Sequence, residues 1–91
     1  MSENELERKF NKYISKIKKL ESVSNDDKLY LYANYKQALI GNINVEKPSL
    51  LNRVEMEKWK AWSNIKDTSK EECVKNYIKK VKAIYTSLGL K

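Results

Sequence analysis

Val74, Tyr77, Ile78, Val81, Ile84, Tyr85 and Leu88 recur at intervals of three and four, the spacing that gathers side chains into one stripe along an α-helix. Thr68 or Ser69 with Glu71 or Glu72 opens this segment as a cap, and Gly89 closes it. Such a stripe must be covered by other elements, so the rest of the chain has to supply partners of matching kind. Three further segments do so. Leu6, Phe10, Tyr13, Ile14, Ile17 and Leu20 make a stripe on a helix expected from about residue 3 to 20, with Ser2 and Glu5 in a capping-box pattern and Lys12, Lys16 and Lys19 on the opposite face. Ser24 or Asn25 caps a second helix, with Asp26 and Asp27 facing the dipole, that reaches about Ile40 and stops at Gly41.

From Gly41 to Leu51 the asparagines, Pro48 and the β-branched Ile43 and Val45 predict a loop. Asn52 with Glu55 caps a third helix, to about Lys66, carrying Met56, Trp59 and Trp62. The two tryptophans, three apart, are expected to pack together as core, while Lys58 points roughly 100° away from Trp59. Ninety-one residues with two glycines, one proline and no repeat leave no room for a linker or a second domain. The expectation is an all-α four-helix bundle, a single domain over residues 1–91.

The second helix carries the one local conflict. At 100° per residue, Leu29, Tyr32, Tyr35, Lys36 and Leu39 share an arc of roughly 120°, the width of a docking stripe, yet that arc holds a lysine and two phenols. Two readings stand at this point. In one, the hydroxyls reach a core edge while the lysine stem lies along apolar surface with its head in water. Alternatively, the ammonium and hydroxyls await an anionic ligand that the core cannot supply.

Net charge is +7, which attracts polyanions: nucleic acid, acidic lipid surfaces or phosphate-bearing metabolites. Charge alone does not choose among them. Histidine is absent, and the lone cysteine, Cys73, has no basic neighbour to lower its pKa and reads as a small buried hydrophobe on the last helix. With no Gly-rich phosphate loop, metal-ligand spacing or nucleophile set, the chain is expected to be neither an enzyme nor a holder of cofactor or metal. A single cysteine fits a reducing compartment, residue 2 is serine rather than the glycine that myristoylation requires, and no apolar run is long enough for a signal peptide or membrane span. The expected location is cytoplasmic, without stable membrane insertion.

The block Tyr32-Ala33-Asn34-Tyr35-Lys36-Gln37-Ala38, then Gly41-Asn42-Ile43-Asn44 with Pro48, then Lys58-Trp59-Lys60-Ala61-Trp62 resembles the acyl-CoA-binding protein family, in order and at family spacing. Leu29-Tyr30-Leu31 before it, and Thr68 to Glu72 leading into Tyr77-Ile78 after it, extend the likeness to about two thirds of the chain. Ser49 stands where the family usually has glycine, and Asn42 and Asn52 where it has aspartate. The resemblance implies reversible binding of medium- to long-chain fatty acyl-CoA by a monomeric carrier and pool buffer. It implies a site formed by Tyr32, Tyr35, Lys36, Lys58 and Tyr77, with Lys18 as the basic position of the first helix and Leu29 on the ligand-facing arc. Lys36 and Lys58 would serve the 3′-phosphate and neighbouring phosphates, Tyr35 the adenine, and Tyr32 and Tyr77 phosphate and acyl-pantetheine. The alternative is a basic helical module for nucleic acid or for a protein partner; here the lysines are spread along all four helices and arginine is scarce, which disfavours nucleic acid.

Overall fold

Four helices form in chain order, α1 Ser2–Lys18, α2 Asn25–Leu39, α3 Arg53–Ser63 and α4 Lys70–Ser87. The structure, a computed structural model, describes residues 2–90, with side chains from Glu5 onward. The side chain of Ser2, the cap expected for α1, therefore lies outside the described residues. The other starts follow the sequence: Ser24, Asn52 and Ser69 each accept the backbone N–H three residues on, at 3.1, 3.4 and 3.1 Å, satisfying a donor that the first helical turn leaves free.

Both glycines end helices in the left-handed region. Gly41 has φ 97° and its N–H bonds Gln37 O, while Gly89 has φ 73° and bonds Thr86 O as Leu90 N–H reaches Tyr85 O. Two helices are shorter than the periodicity suggests. Three-residue backbone bonds tighten the chain after Lys18 (Lys19 to Lys16, Leu20 to Ile17) and after Ser63 (Ile65 to Trp62, Lys66 to Ser63), and Asp67 then turns at φ 71°.

Close helix packing joins α2 with α4, α2 with α3, and α1 with α4. The bundle is therefore a flat layer of 39 × 33 × 16 Å, in spatial order α3, α2, α4, α1. Its core is built on α4: Cys73, Val74, Tyr77, Ile78, Val81 and Ile84 meet Phe10 of α1 and Leu31 and Ala38 of α2. Cys73 is fully buried, and burial followed by the nearby Glu72 carboxylate pushes its thiol pKa up. Its place is that of the buried small hydrophobe expected from sequence.

Helix α2 departs from the expected pattern. Its buried residues are Leu31, Ala33, Asn34, Gln37 and Ala38, whereas Leu29, Tyr32, Tyr35 and Lys36 are half-buried and Leu39 is exposed. A helix flanked by α4 on one side and α3 on another buries two faces, and the arc carrying Lys36 is a third, about 120° from each. Lys36 therefore does not sit against the core. The two buried polar side chains are satisfied: the Asn34 amide donates to Tyr30 O at 2.9 Å and its oxygen accepts from Asn76, and Gln37 is bonded at both ends. Leu88, placed in the α4 stripe by spacing, is also exposed, since α1 ends before reaching it.

Candidate functional site

The seam between α1 and α2, which among the described residues have no close packing of their own, is open at both ends and plugged in the middle by Phe10. Phe10 lies 6.2 Å from the Tyr35 ring and edge-on to Tyr77 at 5.2 Å. On one side of this plug a cavity of about 450 Å³ is walled by Ile14, Ile17 and Lys18 of α1, by Leu20 and Val23 of the connection, and by Lys28, Leu31, Tyr32 and Tyr35 of α2, with Tyr77 of α4 beneath. That volume suits a small-molecule ligand. The lining is aliphatic and aromatic, with lysines at the rim.

Tyr32 also faces a second, smaller cavity of about 300 Å³ between α2, the 45–52 loop and α3, lined by Val45, Pro48, Asn52, Lys58, Trp59 and Trp62 among others. Two ammonium groups converge on its ring, Lys58 Nζ at 5.4 Å and Lys36 Nζ at 6.0 Å from the centroid; Lys36 also stands 5.4 Å from Trp62. Lys58 is 3.6 Å from Glu55, a half-exposed i,i+3 pair of little energetic weight. The ion pairs among the described residues do not include Lys36. The arrangement is one of two cations beside an aromatic ring with an apolar cavity behind it, suited chemically to a molecule with phosphate at one end and hydrocarbon at the other.

Of the residues singled out from sequence, Tyr32, Tyr35, Tyr77 and Lys18 line the larger cavity, Lys58 lines the smaller one, and Lys36 meets both through Tyr32 and Trp62. Leu29 is half-buried and lies outside the lining of both, where its neighbours Lys28 and Leu31 stand instead. Trp59 is not core: it is half-buried, and its indole N–H donates to Val45 O at 2.9 Å, pinning the loop. Trp62 is the core member of the pair, 3% exposed.

Sequence reasoning missed the frame beneath Lys36. The Trp62 indole N–H donates to Gln37 Oε1 and to Gly41 O, both at 3.0 Å. The Gln37 amide donates to Asn42 Oδ1 at 2.8 Å and Thr68 O at 3.2 Å, and the Asn42 amide donates to Asp67 Oδ1 at 2.9 Å while its oxygen accepts the Asp67 N–H at 2.7 Å. Gln37 sits within the Tyr32–Ala38 motif, and its neighbour Lys36 drew attention away from it. Asn42 and Asp67, 25 residues apart, carry no periodic signal. An aspartate at 42 could not donate this bond, so Asn42 suits an Asp67 partner.

Burial, and secondarily the neighbouring Tyr35, pushes the Tyr77 phenol up to about 12 from 10.0. It is therefore a neutral donor at any physiological pH. Below pH 10 both folded and unfolded chains keep the proton, so stability is unaffected; between about 10 and 12 only the unfolded chain ionises, and stability should fall by about 2–3 kcal/mol across that window, then level off. Urea unfolding of Tyr77→Phe at a series of alkaline pH values should lack this component. A variant that tracks the parent through the window would place the phenol in water.

The family model described as Acyl CoA binding protein matches residues 7–81. The chain belongs to the acyl-CoA-binding protein family. An acyl-CoA-binding protein of Gossypium hirsutum is 41% identical over 85 residues, covering 92% of this chain and 96% of that one. Acyl-CoA-binding domain-containing protein 3 of Oryza sativa subsp. japonica is 44% identical over 80 residues, 87% of this chain and 52% of that protein, so the chain spans about half the length of this relative. The crystal structure of Oryza sativa acyl-CoA-binding protein 2 superposes with a TM-score of 0.87 at 38% identity, covering 92% of this chain and 94% of that one. An all-α bundle of this family's type is thus the fold. Among the described residues, no helix is long and apolar enough to cross a membrane, and no group of three or more His, Cys, Asp or Glu side chains is placed to hold a metal ion.

Proposed function

We propose that the chain, as a single domain over residues 1–91, binds medium- to long-chain fatty acyl-CoA thioesters reversibly, one per chain, as a monomeric cytoplasmic carrier and pool buffer that does not convert its ligand. The observation that carries this reading is the convergence of Lys36 and Lys58 on Tyr32, at the border between an apolar cavity and a polar-rimmed one. In the proposed pose Lys36 and Lys58 hold the 3′-phosphate and its neighbours, with Lys18 at the rim. Tyr35 packs on the adenine, Tyr32 and the neutral Tyr77 hydroxyl contact phosphate and the pantetheine end, and Leu29 borders the chain from outside the cavity lining. Family membership and the relatives' names support the ligand class.

Magnitudes divide the work between the two ends. Ten buried methylenes offer roughly 8 kcal/mol at about 0.8 each, more than a few charge-assisted phosphate contacts at about 1.5–3 each leave after screening. The test is calorimetric titration with palmitoyl-CoA and shorter esters, below their micelle concentrations, from about 50 to 200 mM salt. Affinity should fall as the acyl chain is shortened and change by less than about tenfold over that salt range, because methylene burial is not screened. Equal steep salt slopes with no dependence on chain length would mean generic phosphate binding and would overturn the assignment.

A further inference from the structure

Between Arg8 and Leu20, and again from Cys73 to the last residue, the sequence contains no acidic side chain, and the fold lays these two tracts side by side. On α1 and the turn that closes it, Lys12, Lys16 and Lys19 follow spacings of four and three; on α4, Lys75, Lys79 and Lys82 do the same, so each presents one lysine row. The rows meet at Tyr13. Its ring lies 5.1 Å from Lys16 Nζ and 5.7 Å from Lys82 Nζ, and Lys16 Nζ also stands 4.5 Å from the Tyr85 ring, whose hydroxyl donates to Lys16 O at 2.8 Å. Lys16, expected on the solvent side of its helix, thus bridges the two helices. Of the six lysines only Lys75 has an ion-pair partner among the described residues, Glu71 at 3.3 Å, on an exposed pair.

We propose that this α1–α4 lysine face docks the protein, peripherally and reversibly, on an anionic membrane surface. Four observations favour a bilayer over nucleic acid. The cations are predominantly lysines, compact and flexible point charges suited to a diffuse sheet of phosphate and carboxylate; of the chain's two arginines, Arg53 is on α3 and Arg8, one turn before Lys12, extends the α1 row. The Tyr13 ring is overlaid by ammonium groups and is not free to stack on a base. The molecule is a slab 16 Å thick with a face of 39 × 33 Å, a shape that a plane can engage broadly. Half-buried tyrosines among basic side chains also match the headgroup level, where such rings settle. Docking needs no insertion, in keeping with a chain whose described helices are too polar to span.

The face is separate from the cavity lined by Tyr32, Tyr35 and Tyr77, so the inference stands or falls independently of the ligand assignment. The test is co-sedimentation of the full chain with phosphatidylcholine vesicles, with and without phosphatidylserine, beside duplex DNA at matched anion concentration. A triple variant, Lys12→Gln with Lys79→Gln and Lys82→Gln, is compared with Lys47→Gln, Lys60→Gln and Lys66→Gln, which removes the same charge from elsewhere. Binding should require phosphatidylserine and weaken with salt. Each lysine contributes about fivefold, so the first variant should lose on the order of 100-fold and the second much less. Equal losses in the two variants, binding to neutral vesicles alone, or tighter binding to DNA than to phosphatidylserine would each overturn the proposal. Helicity and palmitoyl-CoA titration of both variants confirm that the fold and cavity are intact.

Discussion

Phe10→Ala is expected to lower stability by about 3–5 kcal/mol, the range for deleting a buried phenyl ring. Phe10 is 5% exposed and packs against Tyr35 and Tyr77, and on its far side it closes a cavity of about 520 Å³ bordered by Leu6, Leu39 and Val74. Removing it would join that cavity to the one beneath Tyr32. Small domains are stable by only about 5–15 kcal/mol, so the variant should sit near the limit of folding. Phe10→Leu, which retains most of the volume, should cost much less. Urea unfolding of both decides the matter: a loss below about 1 kcal/mol in the alanine variant would mean that the ring is a lid rather than a plug.

Lys36→Met is expected to leave the fold intact and to weaken palmitoyl-CoA by about 2 kcal/mol or more, roughly 30-fold, through loss of a charge-assisted phosphate contact. Methionine keeps the stem packed between the Tyr32 and Trp62 rings and forfeits only a cation–π attraction of about 0.5–1 kcal/mol. Lys12→Met, on an exposed position of α1, is the matched control for net charge. Titration of the two variants beside the parent separates the outcomes. Should both bind alike, Lys36 is a surface lysine resting on two rings and the proposed phosphate role is lost.

The helices, their caps and most of the core were legible because each rests on a local rule. Ser24, Asn52, Ser69, Gly41 and Gly89 act through backbone groups within a few residues, and the α4 stripe needs only a period. The arc of α2 that breaks the apolar pattern was visible too, as the run from Tyr32 to Lys36. Its meaning was not: period alone cannot show that a helix is buried on two other faces, so the arc read as a docking stripe with a misplaced charge, whereas it faces two cavities. Trp59 was misjudged for a related reason, since its partner is a loop carbonyl 14 residues away. The Gln37–Asn42–Asp67 frame depends on three segments meeting, and no window of sequence contains it. Likewise the lysines seemed dispersed along the chain, and only the packing of α1 on α4 sets two rows side by side.

Six of the nine buried residues in the described core cluster come from α4, and among the described residues α4 alone is closely packed on α1. A ribosome makes α1, α2 and α3 first, and until α4 has been made Phe10, Leu31 and Ala38 lack the six α4 members of their cluster. The pairing of α2 with α3 alone can form early, but it buries few of the cluster's members. Contacts between the first and last helices span about sixty residues or more, as Phe10 to Tyr77 does, and loop closure must be met before they stabilise anything. Native structure is therefore acquired late and cooperatively, and a nascent chain stalled before Cys73 would display its apolar stripes to chaperones rather than a half-built domain.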